Sequence, residues 1–384
     1  MAEEQEVQEI KEQMETDKFP CKACGGNMVF DPESGSLSCA YCGNKIVIPK
    51  DTSAINEYDF TGAEENIPEE WARETRVIKC DGCGAETVLG ANETAQFCAF
   101  CGSSHIVKNG RSAGIAPESL IPFKVTEKNA KQLFSDWIKK KFFAPKALKS
   151  NYQLQRLKGL YLPCWTYDSE TFSAYTGEGG TYYYVTQTRT VMENGKQVTK
   201  TEQVRKIRWW PTSGNYSKFF NDLPVYATKQ VDAGLLSQLE PFDTNELTHY
   251  KPEYLSGFYA ERYSVGLEEG WQKVREFVDD RILSGVIDQI NADETRNIHI
   301  NTAYNNIKYK LIMLPTWISA YKYKEKAYTF MVNGQTGKVS GHAPLSILKI
   351  LLLIGLGLAV IALAYFLLSG QHPGTVNLPG RIGL

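Results

Sequence analysis

Eight of the nine cysteines fall into two quartets, Cys21, Cys24, Cys39, Cys42 and Cys80, Cys83, Cys98, Cys101, each reading CxxC, fourteen residues, CxxC. This spacing leaves few folds open to the N-terminal third of the chain. A CxxC turn aims two sulfurs at one centre, and two such turns at the ends of a short hairpin close a tetrahedron suited to Zn²⁺. With four thiolates as ligands no position is left for water, so the expected metal is structural and not hydrolytic. A rubredoxin-like iron site and paired disulfides are the alternatives. The N-terminal residues do not show a secretory signal, which argues against disulfides.

A glycine follows the second cysteine of all four turns: Gly25, Gly43, Gly84 and Gly102. Positive φ there lets backbone N–H groups face the thiolates. Met28 to Phe30, then Leu37, and in the second copy Thr87 to Leu89, then Phe97, predict strand, turn and strand, and Ile46 to Ile48 and Ile106 to Val107 should complete three-stranded ribbons. Units of this size bury too little apolar surface to fold alone. Zinc is therefore expected to supply most of their folding free energy, on the order of 10–16 kcal/mol per site.

The remaining residues divide readily. Residues 1–18 carry seven acids against two bases and read as an acidic tail. Ribbon one is placed at 19–50, a linker at 51–76, ribbon two at 77–110 and an α+β middle domain at 111–343. From Ile350 to Leu368 there are nineteen residues without a charge, matching the roughly 20 needed to cross a bilayer as one transmembrane helix, and a short tail, 369–384, follows. Lys322, Lys324, Lys326, Lys338 and Lys349 precede this run and Arg381 alone follows it, so the bulk of the chain is expected in the cytoplasm, held at the cell membrane by a single pass. Gly355 and Ala359 offer a small-residue face for homo-oligomer formation.

Charge is unevenly spread. Residues 19–110 hold seven bases and thirteen acids, whereas residues 111–384 hold 33 bases and 24 acids. Lysines 139–141 and Arg205, Lys206, Arg208 are basic clusters able to face anionic headgroups. In the middle domain, apolar spacing predicts helices over Lys128 to Phe143 and Leu267 to Ile290. Hairpins are expected at Thr181 to Met192 with Gln197 to Trp210 across Asn194 and Gly195, at Ile298 to Tyr304 with Lys308 to Met313 across Asn305 and Asn306, and over Ala327 to Val339. The motif LPxW occurs twice, at Leu162 to Trp165 and Leu314 to Trp317, as a degenerate duplication would produce, and its prolines suggest edge or strand-start positions.

No phosphate-binding loop, no HExxH and no nucleophile with a base in register is found, so an enzyme is not expected. The histidines, His105, His249, His299, His342 and His372, are scattered. Cys164 lies in an apolar motif and reads as a buried thiol.

Taken together, the two CxxCG ribbons, IPFKV at Ile121 to Val125, the LPxW pair, VNGQTGKVSG at Val332 to Gly341 and the C-terminal span resemble a family of bacterial double zinc-ribbon, single-span membrane proteins. The resemblance covers residues 19 to about 368. Members are often labelled as like primosomal helicase for their cysteine turns, but this chain has no helicase motif. What the resemblance implies is an adaptor in envelope stress or membrane organisation, with SPFH-type membrane-scaffold proteins and phage-shock-type coiled-coil proteins as protein partners. The alternative is nucleic-acid binding by the ribbons, with Tyr41 and Phe100 stacking on bases; their acidic charge opposes it.

Overall fold

The computed structural model describes residues 19–63, 76–89, 98–101, 103, 106–109, 114–145, 157–193, 196–323, 326–343 and 346–369. The acidic tail, Phe97, Gly102, His105, the Asn194–Gly195 turn, His372 and the tail beyond 369 lie outside the described residues.

The first ribbon is a separate three-stranded sheet of β1 (Met28–Asp31), β2 (Ser36–Cys39) and β3 (Lys45–Val47), in that order. It is fastened to the body by ring contacts and hydrogen bonds. The Phe30 ring meets Tyr254 edge-on at 5.2 Å, and the Phe30 N–H donates to Ser256 O while Ser256 Oγ donates to Met28 O, at 2.9 and 2.7 Å. The expected linker is also structured in part. Within it β4 (Tyr58–Asp59) pairs with a strand of the body, and its last residue, Arg76, opens β5 (Arg76–Cys80). In the second ribbon β5 is central, flanked by β6 (Glu86–Leu89) and β7 (Ile106–Asn109).

β8 (Ser119–Leu120) leads to α1 (Glu127–Lys140), capped by the Thr126 side chain, which accepts from the Asn129 N–H. Two very long strands follow as a hairpin, β9 (Lys158–Glu193) and β10 (Lys196–Tyr226). After them come α2 (Ala233–Leu239), β11 (Thr248–His249), which pairs with β8, and β12 (Tyr259–Glu261). The helix α3 (Leu267–Ile290) ends at Asn291 in the left-handed conformation (φ 53°). It lays Trp271, Val274, Val278, Ile282, Val286 and Ile290 on the sheet against Trp165, Tyr167 and Leu311. The body closes with β13 (Glu294–Tyr323), β14 (Lys326–Asn333) and β15 (Val339–Gly341), and α4 (Ile347–Ser369) follows.

The two LPxW motifs are not at an edge. They face each other on the central pair β9 and β13, with Pro163 opposite Met313 and Pro315 opposite Tyr161. Each proline is tolerated because the neighbouring outer strand has just ended: β10 at Tyr226 opposite Cys164, and β14 at Asn333 opposite Thr316. The residue after each strand, Ala227 or Gly334, donates its N–H to the proline carbonyl at 2.8 Å, so no ladder donor is missed. Beyond the prolines, β12 runs parallel to β9 and β8 parallel to β13 at matching offsets. The tryptophans complete the correspondence. Trp165 Nε1 donates to Val265 O and Trp317 Nε1 to Val125 O, both at 2.8 Å, and each valine lies two residues before α3 or α1. The body is thus a duplicated β-α-β-β unit, each half holding the helix start of the other.

The expected hairpin at Asn305 and Asn306 is instead one continuous strand, β13, with a register shift between Asn305 and Lys308. β10 carries the matching irregularity between Phe220 and Leu223, so both neighbours of β9 bulge at the same level. Asn306 (φ 49°) and Asp222 (φ 51°) supply the positive φ that these bulges need. Sequence pattern reads such Asn and Asp residues as turns because turns and bulges ask for the same backbone conformation.

The described side chains of α4, Leu351 to Leu367, are all exposed. Among the described residues no helix is long and apolar enough to cross a membrane. Of the nineteen-residue run, the side chains from Leu351 to Leu367 are described and those of Ile350 and Leu368 are not.

Candidate metal centres

In the first ribbon Cys21 Sγ lies 3.4 Å from Cys42 Sγ and Cys24 Sγ 3.5 Å from Cys39 Sγ; in the second the pairs Cys80–Cys101 and Cys83–Cys98 are at 3.6 and 3.7 Å. All four sulfurs of each quartet lie within 4.8 Å of one another. A tetrahedron with metal–sulfur bonds of about 2.3 Å has sulfur–sulfur edges of about 3.8 Å, close to these separations, whereas a disulfide needs about 2.05 Å. Both sites therefore fit a tetrahedral metal bound by four thiolates.

The turns fold as they do because Gly25, Gly43 and Gly84 take φ of 73°, 73° and 74°. Each donates its N–H to the carbonyl of the first cysteine, at 2.8, 2.9 and 2.8 Å. The same turn points backbone N–H groups at sulfur. The N–H of Ala23 lowers the Cys21 thiol against the effect of burial, and those of Cys24 and the Asn44 amide add to it, down to about 6. Cys39 is lowered in the same way by the N–H groups of Cys42 and Tyr41. In the second ribbon burial is the larger influence. It raises Cys83, and raises Cys98 to about 11, while Cys80 is still lowered by the N–H groups of Cys83 and Gly82. Each site thus holds at least one thiol below its ordinary value, which favours the thiolate that metal capture requires.

The aromatic residues inside the turns differ. Tyr41 is 82% exposed, lying across Gly26, whereas Phe100 is 6% exposed and packs with Leu235 and Leu239 of α2. The second ribbon is also continuous with the main sheet through β6 and β12, clamped by Arg262 Nη1 to Glu86 Oε2 at 2.6 Å. The first presents a free knuckle, the second a docked one.

A third cluster, which sequence reading missed, sits at the double bulge. Lys310, 5% exposed, reaches Glu57 Oε1 at 2.8 Å and Asp222 Oδ1 at 2.5 Å, and Asp168 Oδ1 accepts the Asp222 N–H at 2.7 Å. Burial, with Glu57 and Asp222 adding, pushes the Asp168 carboxyl up to about 6, although the Asp222 N–H opposes it. Glu57 is lowered and Lys310 raised by their pairing, in both cases against burial, the largest influence. The ammonium stands where a cation would stand and offsets part of the acids' charge. Its members come from four distant segments, and only the bulge-forming Asn305–Asn306 and Asn221–Asp222 pairs hinted at the place.

Cys164 is fully buried, its thiol donating to Trp165 O at 3.5 Å, and burial pushes it up to about 12, with the Glu240 charge adding. His249 lies by Ser53 and Glu118, and His342 lies 4.0 Å from Asp232. Glu261, 2% exposed, accepts from Thr228 Oγ1 at 2.6 Å, and burial pushes it up to about 8. It lines a small void of about 20 Å³ between the second ribbon and the body.

Over 334 residues, 85% of this chain and 90% of the relative, the sequence is 30% identical to "Uncharacterized protein YdjG" of Bacillus subtilis (strain 168). The chain belongs to the YdjG family. A match of that length must take in the second ribbon and most of the body. No family model and no solved structure matches the chain.

Proposed function

We propose that the chain is a membrane-anchored cytoplasmic adaptor, in which two structural zinc ions set the ribbons and a single-pass α4 fixes the body at the cell membrane, where it binds protein partners. The observation that carries this reading is α4. Its side chains from Leu351 to Leu367 are uncharged and exposed, whereas α1 and α3 each bury a face. An apolar surface of that extent is not stable in water and calls for a bilayer or a partner. The length of the run from Ile350 to Leu368, with Lys349 at its start, favours the bilayer.

The four-thiolate sites, which leave no position for water, support a structural task for zinc. Nucleic-acid binding is the weaker alternative: the ribbon region is acidic, and of its two candidate stacking residues Phe100 is buried. The resemblance to ribbon-bearing membrane proteins favours partners of the SPFH and phage-shock types, and Gly355 with Ala359 would serve self-association. Crosslinking in intact membranes, followed by purification of the full chain, tests the reading. A defined protein partner should be recovered, and deletion of residues 347–369 should abolish membrane association. Recovery of only uncomplexed chain, or membrane retention after the deletion, overturns it.

A further inference from the structure

The structure fixes the basic segment after α1 at the base of α4. Lys349 Nζ donates to Phe142 O and Ala144 O at 2.7 and 2.8 Å, and the Ser346 N–H donates to Phe143 O at 2.8 Å. Lys349 also lies over the Phe142 ring at 5.6 Å. These contacts hold residues 142–144 at the level of the first turn of α4. Beside them Lys139, Lys140 and Lys141 are all exposed, and Phe142 is 65% exposed although it is a large apolar side chain. Of these lysines, Lys139 is shared with Asp136 at 3.6 Å and Lys141 lies over the Trp137 ring at 4.9 Å, which leaves its charge intact.

We propose that residues 139–143 form a collar that binds the anionic phospholipid headgroups of the membrane that α4 enters, with Phe142 inserted at the interface. This rests on the membrane-anchor reading of α4. The placement decides the occupant. Three exposed lysines directly precede the segment held at the start of an apolar helix, where headgroup phosphates lie, and an exposed phenyl ring beside them is at home at the edge of the hydrocarbon. An acidic protein would satisfy the lysines but not the continuity with α4. The other basic cluster, Arg205, Lys206 and Arg208, lies on the far part of the β9–β10 hairpin, whereas the collar lies at the Lys158 end of the sheet, where α1 packs on β14. The collar is thus the basic cluster that the fold itself brings to the membrane helix.

The test uses the full chain in bilayer discs containing phosphatidylglycerol and phosphatidylcholine, with a benzophenone side chain in place of Phe142 or, separately, of Leu358 in the middle of α4. Irradiation should attach lipid at both positions. At 142 the captured lipid should be enriched in phosphatidylglycerol over the bulk ratio by about fivefold for each engaged lysine, and K140A with K141A should return it toward bulk. Capture at 358 with none, or only bulk-ratio lipid, at 142 overturns the collar and leaves the anchor standing. No lipid at 358 overturns the anchor reading and the collar with it. Enrichment at 142 that survives K140A with K141A overturns the assignment to the lysines.

Discussion

Replacing Lys310 by methionine isolates the ion-paired cluster at the double bulge. In the native fold its ammonium lies within 2.8 Å of two carboxylates, and the carboxyl oxygens of Glu57, Asp168 and Asp222 all lie within 4.8 Å of one another. K310M keeps the bulk of the stem and removes the charge, leaving these acids without a counter-ion. Breaking a buried pair by removing one partner costs about 3–5 kcal/mol, and the partial exposure of Glu57 and Asp222 moves the expectation to the lower end, about 3 kcal/mol. The loss depends on pH, with a sign fixed by Asp168. Its folded value, about 6, is above its ordinary 3.8, so its contribution is full below the unfolded value and is lost as pH rises through 6. Without Lys310 the Glu57 carboxyl, which the ammonium holds down, shifts the same way, so the deficit should be largest near pH 8 and should shrink toward pH 5. Urea unfolding of the full chain in detergent, followed by tryptophan fluorescence, reads this as a shifted midpoint at unchanged slope. A K310M midpoint equal to wild type throughout pH 5 to 8 would refute the pairing.

Three further outcomes are expected. W165F and W317F each leave a buried valine carbonyl without its donor and should each cost about 1–3 kcal/mol, comparably if the two halves do the same work; a neutral result for either in chemical unfolding breaks the correspondence. E261Q should become steadily more stable relative to wild type as pH rises from 5 to 8, because the carboxyl at about 8 must stay protonated in the folded chain while the unfolded one ionises; parallel pH profiles would show that Glu261 is not held neutral. A strong zinc chelator should raise hydrogen exchange in Met28–Val47 while leaving β9 and β13 protected; uniform unfolding of the whole chain would contradict a first ribbon that forms a sheet of its own.

What sequence made legible was whatever depends on local spacing. The quartets, α3 at Leu267 to Ile290 and the β9–β10 hairpin follow from periods and turn residues a few positions apart, and the structure places them as expected. The LPxW repeat announced a duplication but not its geometry. That Trp165 reaches Val265 and Trp317 reaches Val125 is a pairing across about a hundred residues or more, with no local signature. The prolines suggested edges because a missing N–H is harmless there. It is equally harmless one residue past the end of a neighbouring strand, and only the assembled sheet shows this. Asn305–Asn306 was misread for a similar reason, since a bulge and a hairpin turn use the same positive φ. The Lys310 cluster was invisible because each of its members is an ordinary charged residue until the bulges bring them together.

Zinc K-edge X-ray absorption on the purified full chain, together with its metal content, tests whether both quartets are closed structural zinc sites. Two zinc ions per chain are expected, each with four sulfur neighbours at about 2.3 Å and no oxygen or nitrogen. A nitrogen or oxygen neighbour, or a stoichiometry of one, would contradict that assignment.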